Sequence, residues 1–384
     1  MDGLTHSLVG LTSAKAGLDR LSPYTTLACI LSANAPDSDV VSVFFGGPWI
    51  LLQEHRGITH SIIGTLALGF LIPTILFGIE RMIARWRKKP PRIQYRGLLL
   101  ASLIGAATHP LMDWTNNYGV RPLLPWNGKW FYGDLVFIVD PYLLLVLGGA
   151  GFLLTSNRRL KIAGWSLLAI VVTLIVLRVQ PQRAAGIGSL NAARTIWIIG
   201  VLALAVARTL GLQKRLGRTL AIGALSFVVI YWGALAWAHH RAYANAEAEA
   251  NGIAAQRGEH FMRVAAMPTA ANPFQWQCVA ETDRALYRFL VGVSAPDLNM
   301  TGNSYELMQR FEKPTGRDEQ LVAEASRDPR AEILLNFARF PIAVVQSDHC
   351  PGQAFVHFAD LRYTEPGAAS GRFSLSVPVN CPAP

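Results

Sequence analysis

Seven side chains that could bind a metal ion lie in the first 113 residues, each at or near the end of an apolar segment. They are His6, Asp37, Asp39, His55, His60, His109 and Asp113. Ionisable groups at the edge of a membrane-depth helix are energetically costly and usually have a function. Imidazole and carboxylate ligands together suit zinc or a similar divalent metal. The sequence therefore predicts a metal site at one face of a membrane.

The spacing of the histidines indicates how the ligands are held. His109 and Asp113 stand at positions i and i+4, so they share one face of a helix and could bind one ion together. The alternative is a structural histidine beside an exposed aspartate. His55 and His60 would lie on different faces of a helix, so we expect His55 in a loop before the helix begins. Thr59 is the expected N-cap of that helix, and an ordinary loop is the alternative.

The remaining candidates are weaker when each is taken alone. Asp37 and Asp39 follow a proline turn and could bridge or flank metals, although acidic pairs in turns are common. His6 at a helix start is by itself more typical of a structural residue. Arg56 could bind a phosphate oxygen bidentately. Seven ligands exceed the three or four that a catalytic zinc takes, so we predict one or two ions, with the remaining residues orienting ligands or acting as a general base. The candidate catalytic residues are Arg56, Asp39 and Asp134.

The segment Trp114–Asp140 is dense in Trp, Tyr, Asn and Gly. One interpretation is an aromatic belt at the membrane interface. The other is a lip over the substrate, with Asn117, Arg121 and Asp134 near the metals. We expect Asp140, which precedes Pro141, to lie inside a membrane span, where it either supports a ligand or kinks the helix.

The composition places the chain in the membrane class. Its 384 residues are 51% hydrophobic and 16% charged, with a mean hydropathy of +0.29. A helix needs roughly 20 apolar residues to cross a hydrocarbon core about 30 Å thick. The runs that we predict to span are Ser61–Ile79, Leu135–Leu154, Ile162–Leu177, Thr195–Leu212 and Thr219–Ala238. Two shorter stretches, Ser7–Leu18 and Tyr24–Ala35, fit a re-entrant helical hairpin that returns both of its ends to one side.

The net charge of +10 is interpreted as a topology signal and not as a nucleic-acid surface. Basic residues concentrate in three loops that fall on one side if the spans alternate, and this asymmetry predicts a cytoplasmic location for those loops. The seven candidate ligands, and everything after Ala238, then lie on the opposite side. The basic loops contain Arg81, Arg85, Arg87, Lys88, Lys89, Arg92 and Arg96, then Arg158, Arg159 and Lys161, then Arg208, Lys214, Arg215 and Arg218. No cleavable signal peptide is expected, because the start of the chain is acidic and no cleavage site follows an apolar region.

The C-terminal third of the chain differs in kind from the rest. It is polar, is broken by Pro and Gly, and contains alternating segments that predict strands at Phe261–Ala265, Ala285–Val293 and Ala354–Arg362. Ala331–Phe340 predicts a short helix, and Ala242–Ala255 a helical connector. Of the three cysteines here, Cys350 and Cys381 are the expected disulfide pair, which leaves Cys278 free.

These observations predict a polytopic α-helical membrane domain followed by a soluble α+β domain. Residues 1–155 would form the metal-site membrane domain, residues 156–240 additional transmembrane helices, and residues 241–384 an extracytoplasmic domain.

Several motifs together resemble the YdjM family of inner-membrane, metal-dependent hydrolases. They are MDGLTHSLVG, NAPDSD, HRGITHS, ATHPLMDWTNNYG and WFYGDLVFIVDP, all within about residues 1–155, with NPFQWQCV and FADLRY in the tail similar to longer members. The resemblance extends distantly to the zinc phospholipase C and nuclease superfamily. It implies that His60, His109 and Asp113 bind metal, while His6, Asp37, Asp39 and His55 follow the membrane family's own pattern. The second His-x-x-x-Glu helix of the soluble enzymes is missing from this sequence.

The predicted function is therefore a metal-dependent hydrolase of the bacterial inner membrane that acts on a phosphoester of a lipid or lipid-linked substrate. Membrane lipids are the expected partners, and no nucleic-acid partner is expected. The alternatives are a metal-binding transporter and a membrane-anchored binding protein whose metal site is structural. Transport sites tend to lie at the bilayer midplane within inverted repeats, neither of which this sequence indicates.

Overall fold

The computed structural model describes residues 1–178, 187–294, 308–349, 352–368 and 373–381. The chain divides into two compact units. The first unit comprises Met1–Ser38, Arg56–Trp237 and Pro268–Pro273, and the second comprises Asp39–His55, Ala238–Met267 and Phe274–Pro384.

Ten helices precede the first strand in the described part of the chain. They are α1 (Gly3–Lys15), α2 (Thr25–Asn34), α3 (Val43–Glu54), α4 (Ile62–Trp86), α5 (Tyr95–Trp114), α6 (Pro141–Thr155), α7 (Arg159–Arg178), α8 (Ile187–Thr209), α9 (Leu212–Leu216) and α10 (Thr219–Arg257). Short 3-10 turns occupy Leu18–Arg20, Ala35–Ser42 and Ile58–His60. The described helices α4, α7, α10 and Asn191–Thr209 of α8 are long and apolar enough to cross a membrane.

Helices α1, α2 and α5 pack so closely that their backbones touch. A Cβ added to Gly10 of α1 would lie 2.7 Å from the carbonyl oxygen of Cys29 in α2, and one added to Gly105 of α5 would lie 2.8 Å from the same oxygen. Small residues allow this close approach of helices within membranes. The crossing point positions the three elements that carry or lead into the candidate ligands.

Helix α6 begins later than the sequence predicts. The apolar run was expected to form a span from Leu135, but the helix starts at Pro141 and has 15 residues. Asp140 is its N-cap, and its carboxylate accepts hydrogen bonds from the backbone N–H groups of Tyr142 and Leu143 at 2.8 and 3.0 Å. Asp140 and Pro141 therefore lie at the start of the helix and not inside it, in the arrangement that proline at the first helical position favours.

Helix α10 is longer than the apolar run that predicts it. The hydrophobic segment ends at Ala238, but the helix continues without a break to Arg257 through the Ala- and Glu-rich stretch that was expected to be a helical connector. Alanine and glutamate are strong helix formers, so the backbone needs no break where the apolar residues end. Ala242, Ala246 and Ala250 lie on the buried side of this extension, in the core of the second unit.

The second unit contains two antiparallel sheets. One has the order β1 (Phe261–Thr269), β2 (Asn272–Thr282), β3 (Ala285–Gly292) and β4 (Gln309–Glu312), and the other has the order β5 (Pro341–His349), β6 (Gly352–Asp360) and β7 (Ser374–Cys381). Two helices, α11 (Arg317–Ala325) and α12 (Pro329–Phe337), connect the sheets. The predicted membrane domain followed by an α+β domain is thus the architecture of the chain.

Three of the four cysteines lie within the described residues. Cys381 is disulfide-bonded, whereas its predicted partner Cys350 lies outside the described residues. Cys278 is a free, buried thiol, and so is Cys29 of α2.

Candidate metal centre

Four side chains of the first unit bring potential ligand atoms within 4.8 Å of one another: Asp37, His60, His109 and Asp113. They come from the 3-10 turns Ala35–Ser42 and Ile58–His60 and from α5. His60, His109 and Asp113 are buried, whereas the side chain of Asp37 is 32% exposed. Asp37 therefore marks the side of the cluster that is open to its surroundings.

His6 of α1 joins this cluster. Its imidazole stacks on that of His109 with ring centroids 3.7 Å apart, and its Nε2 lies 3.4 Å from Asp113 Oδ1. His6 is fully buried. Five of the seven predicted ligands thus lie together in the first unit.

Local backbone rules position two of the ligands. Helix α2 ends at Asn34, just before Pro36, and the following 3-10 turn presents Asp37. Ser61 is the N-cap of α4, because its hydroxyl accepts a hydrogen bond from the N–H of Gly64 at 3.1 Å. The prediction that Thr59 is this cap is wrong. The hydroxyl of Thr59 instead lies 3.0 Å from His60 Nδ1.

The hydrogen bonds of the histidines orient their lone pairs. His109 Nδ1 donates to the carbonyl oxygen of Ala33 at 2.6 Å, so its Nε2 carries the lone pair. The Thr59 hydroxyl, which can donate or accept, lies 3.0 Å from His60 Nδ1, and His60 Nε2 lies 3.0 Å from His109 Nε2. Two nitrogen lone pairs at this distance repel each other unless a proton or a cation lies between them. A metal ligand held in one tautomer by a bond at its other ring nitrogen is the usual arrangement for histidine.

Asp113 is the residue on which the buried charges converge. Its Oδ2 is 3.3 Å from His60 Nε2 and 3.4 Å from His109 Nε2. Its Oδ1 is 3.0 Å from a guanidinium nitrogen of Arg56 and also contacts the α-amine of Met1. Oδ2 thus faces the imidazoles of His60 and His109, whereas Oδ1 faces the two cations and the imidazole of His6.

Arg56 is engaged by protein acceptors. It is 3% exposed, and Nη1 donates to Asn116 Oδ1 at 2.9 Å, to the Gly119 carbonyl at 3.1 Å and to the Asp113 carbonyl at 3.2 Å. The guanidinium also lies over the Tyr118 ring. These contacts make Arg56 a clamp on Asp113 and the loop after α5. Binding of a phosphate by Arg56 stays a prediction.

Several buried polar atoms of the cluster lack a hydrogen-bond partner among the described residues. They are both ring nitrogens of His6 and Oδ2 of Asp113. Buried polar atoms are nearly always satisfied, so unsatisfied ones within a cluster of potential ligands favour a bound species. Imidazole nitrogens and carboxylate oxygens are the donor set that zinc and similar divalent ions prefer. The residues present therefore fit a divalent metal.

Electrostatics at the open side agree with this arrangement. Burial raises the pKa of Asp37, but hydrogen bonds with His109 and His60 lower it by more than burial raises it. The pKa of Asp37 therefore lies below its ordinary value. Asp37 is held as a carboxylate, the form that can bind a cation.

Asp39 and His55 contact each other. Asp39 Oδ1 lies 3.0 Å from His55 Nδ1, and both residues belong to the second unit. Their assignment as metal ligands, and that of Asp39 as a catalytic residue, stay predictions.

The loop after α5 contains the other predicted site residues. Gly133 and Leu135 donate backbone hydrogen bonds to the carbonyls of Trp114 and Thr115, both at 2.7 Å, and so hold the intervening Asp134 against the end of α5. Asp134 and Asn117 are buried. The guanidinium of Arg121 lies over the Trp130 ring at 4.6 Å. The catalytic role of Asp134 and the substrate lip remain predictions.

Three contributors were missed by sequence reasoning. The carbonyl of Ala33 fixes the His109 tautomer, Asn116 accepts a hydrogen bond from Arg56, and the α-amine of Met1 contacts Asp113. Asn116 lies in the polar stretch directly after the His109–Asp113 pair, which could have pointed to it. A backbone carbonyl leaves no signal in a sequence.

The fold and this cluster together define a helical membrane protein with a buried His/Asp centre that fits a metal. The chain belongs to the YdjM inner membrane protein family, whose model matches residues 1–184. Family membership and the apolar helices make it a multi-pass protein of the inner membrane.

Two relatives agree with the family assignment. Inner membrane protein YbcI of Escherichia coli is 30% identical over 148 residues, which is 37% of this chain and 78% of YbcI. The uncharacterized protein YfhP of Bacillus subtilis is 24% identical over 197 residues, 46% of this chain and 56% of YfhP. The chain thus spans little more than half the length of YfhP. No solved structure matches the chain.

Proposed function

We propose that this protein is a membrane-bound metal-dependent hydrolase that cleaves a phosphoester of a lipid or lipid-linked substrate. The observation that supports it best is the approach of His60 Nε2 and His109 Nε2 to 3.0 Å of each other beside Asp113 Oδ2. A cation bound between these nitrogens would remove the repulsion of their lone pairs, and the cluster is accessible through Asp37.

The ligand set would be His60, His109, Asp113 and Asp37, with His6 as a further donor. A divalent ion bound there supplies Lewis-acid polarisation of a phosphoryl oxygen and lowers the pKa of water. Zinc is the metal that the donor set favours, as one or two ions.

The other residues have supporting tasks in this proposal. Arg56 fixes the orientation of Asp113 through its ion pair and holds the loop after α5 through Asn116 and Gly119. Asp39, held by His55, and Asp134 are the candidates for orienting water or a ligand. Arg56 would reach a substrate phosphate only by exchanging one of its present acceptors.

The proposed location of the reaction is the extracytoplasmic membrane face. The three basic loops would lie in the cytoplasm according to the positive-inside rule. The first of these loops connects α4 and α5, and His60, His109 and Asp113 lie at the opposite ends of these two helices. A site at the level of the lipid headgroups could reach a lipid phosphoester without extracting it from the bilayer.

The test is metal analysis of the full-length, detergent-purified protein combined with phosphate release from a synthetic lipid phosphoester. We expect about one or two zinc-like ions per chain in the wild type. His109→Ala and Asp113→Asn should lose the metal and the activity together. His240→Ala, at an exposed position of α10, and Asp318→Asn, at an exposed position of α11, should keep both.

The outcomes separate the proposals. Wild-type protein that binds no metal even after reconstitution would contradict the metal centre itself. If the wild type binds metal and the two variants lose it, but no lipid phosphoester is hydrolysed, the structural or transport role would be favoured.

A further inference from the structure

An apolar cavity lies among α1, α6, α7 and α8 of the first unit. Its volume is about 170 Å³, and it is lined almost entirely by aliphatic and aromatic side chains, including Leu8, Phe152, Trp165 and Trp197. A second cavity of about 370 Å³ adjoins it and shares Leu145, Gly149 and Leu204 as its wall. An apolar cavity of about 150 Å³ already suffices to bind benzene in an engineered core.

The indole N–H groups of Trp165 and Trp197 are hydrogen-bonded within the protein and are not free to bind a ligand. Trp165 Nε1 donates to Thr155 Oγ1 at 2.8 Å, and Trp197 Nε1 donates to Thr173 Oγ1 at 2.9 Å. The indoles therefore offer the cavity their apolar ring surface. Such a site selects a hydrocarbon and gives no hydrogen-bonding specificity to a polar guest.

The shape of the cavity indicates an extended guest. The lining residues of α6 run from Leu144 to Phe152, and those of α8 run from Trp197 to Ala205. Eight residues along a helix cover about 12 Å. One leaflet of hydrocarbon is about 15 Å deep, half of the roughly 30 Å core. The cavity thus follows the helix axes over most of one leaflet.

The surroundings determine which extended hydrocarbon can enter. Helices α7 and α8 can span the membrane, and their outward positions are apolar, among them Leu167, Ile170, Ile199 and Leu202. Lipid is the medium that such faces contact. We propose that the cavity is a binding site for one acyl chain of a membrane phospholipid.

This site would contact an element of the metal centre. Leu4 and Leu8 line the cavity from α1, and His6 lies between them on the opposite side of the same helix. A bound acyl chain therefore packs behind the turn of helix that holds His6. The inference goes beyond the proposed hydrolysis and does not depend on it.

The test uses phosphatidylglycerol with a photoreactive diazirine midway along one acyl chain. The full-length protein in detergent is loaded with this lipid, freed of excess lipid, irradiated and mapped by peptide mass spectrometry. We expect label at Phe152, Trp165 and Trp197, and none at the outward-facing Leu167 and Ile170. Uniform labelling of both faces, or labelling of Leu167 and Ile170 without labelling of the cavity residues, would overturn the proposal.

Two filling variants and one control make the test specific. Ala169→Phe fills the cavity from α7 and Ala205→Phe fills it from α8, and each should reduce the cavity label to background. Ala163→Phe adds the same side chain at an exposed position of α7 outside the cavity and should leave the label unchanged. If Ala169→Phe fails to fold, Ala205→Phe decides. Persistence of the cavity label in a folded filling variant would rule out the acyl-chain site.

Discussion

The two compact units differ in whether their buried charged groups are fully hydrogen-bonded. In the second unit Asp360 and Arg362 are fully buried and satisfy each other, with Arg362 nitrogens 2.7 and 2.9 Å from Asp360 Oδ2. In the first unit Asp113 is equally buried, yet its Oδ2 and the ring nitrogens of His6 have no hydrogen-bond partner among the described residues. A charge that is paired one-to-one serves the fold, whereas polar atoms that converge unsatisfied indicate a site for a ligand.

The largest expected effect comes from breaking the closed pair of the second unit. Arg362→Ala should leave Asp360 as an uncompensated buried charge and lower the local stability by about 3–5 kcal/mol. Hydrogen exchange of β6 peptides in the full-length protein measures this loss. Arg330→Ala removes a partly exposed ion pair with Asp328 and should cost less than about 1 kcal/mol. Equal losses of stability for the two substitutions would mean that burial does not determine how much an ion pair contributes to stability.

Metal removal should act on the first unit alone. A ligand that binds only the folded state at about 100 times its dissociation constant stabilises that state by about 2.7 kcal/mol. Chelation should therefore speed hydrogen exchange in the α5 peptide that contains His109 and Asp113. The β6 peptide is the internal control, because its buried charges are satisfied by protein groups. A chelator effect of the same size in both peptides would remove the contrast between the units.

Arg56→Lys tests whether the clamp on Asp113 matters for metal affinity. Lysine keeps the charge but cannot serve Asp113, Asn116 and Gly119 at once, since it lacks the planar fork of arginine. Residues that orient ligands typically contribute 10- to 100-fold in affinity, about 1.4–2.7 kcal/mol. Competition with a chromophoric chelator measures the change. Arg96→Lys, at an exposed position of α5, should leave the affinity unaltered; a matching loss there would show a general charge effect.

The smallest effect concerns pH and Glu259 of the second unit. Burial raises the pKa of Glu259, but hydrogen bonds from Thr282, Tyr287 and Arg310 outweigh it and bring the pKa below its ordinary value of 4.5. The stability that this carboxylate contributes is therefore complete above about pH 4.5 and is lost as the pH falls through the lowered pKa. Hydrogen exchange of β3 between pH 6 and acid should show this loss, and Glu259→Gln should show less of it. Identical pH profiles would exclude Glu259 as the source.

Local patterns predicted the parts of the site that are close in sequence. His109 and Asp113 were paired because positions i and i+4 share a helix face, and in the structure His109 Nε2 is 3.4 Å from Asp113 Oδ2. His60 and Asp37 were found because they border apolar segments. The convergence of these elements with His6 was expected from counting membrane crossings.

Contacts between distant residues were beyond such patterns. Arg56 is 57 positions from Asp113, and nothing in its neighbourhood says that a carboxylate is its partner. Hydropathy also failed at the ends of helices, because it measures transfer into lipid and not backbone capping. It extended α6 back to Leu135 and missed the Asp140 cap, and it did not indicate that the span ending at Ala238 and the helical connector after it form one helix, α10.

The close crossing of α1, α2 and α5 has a consequence for the size of the site. Gly10 and Gly105 approach the same Cys29 carbonyl, so the main chains of three helices are in direct contact beneath the ligands. Side chains in contact can relax by changing rotamer, but backbones in contact cannot. The spacing between His6, Asp37 and His109 is thus set by the main chain. A single methyl group at either glycine would push the helices apart and change the distances between these ligands.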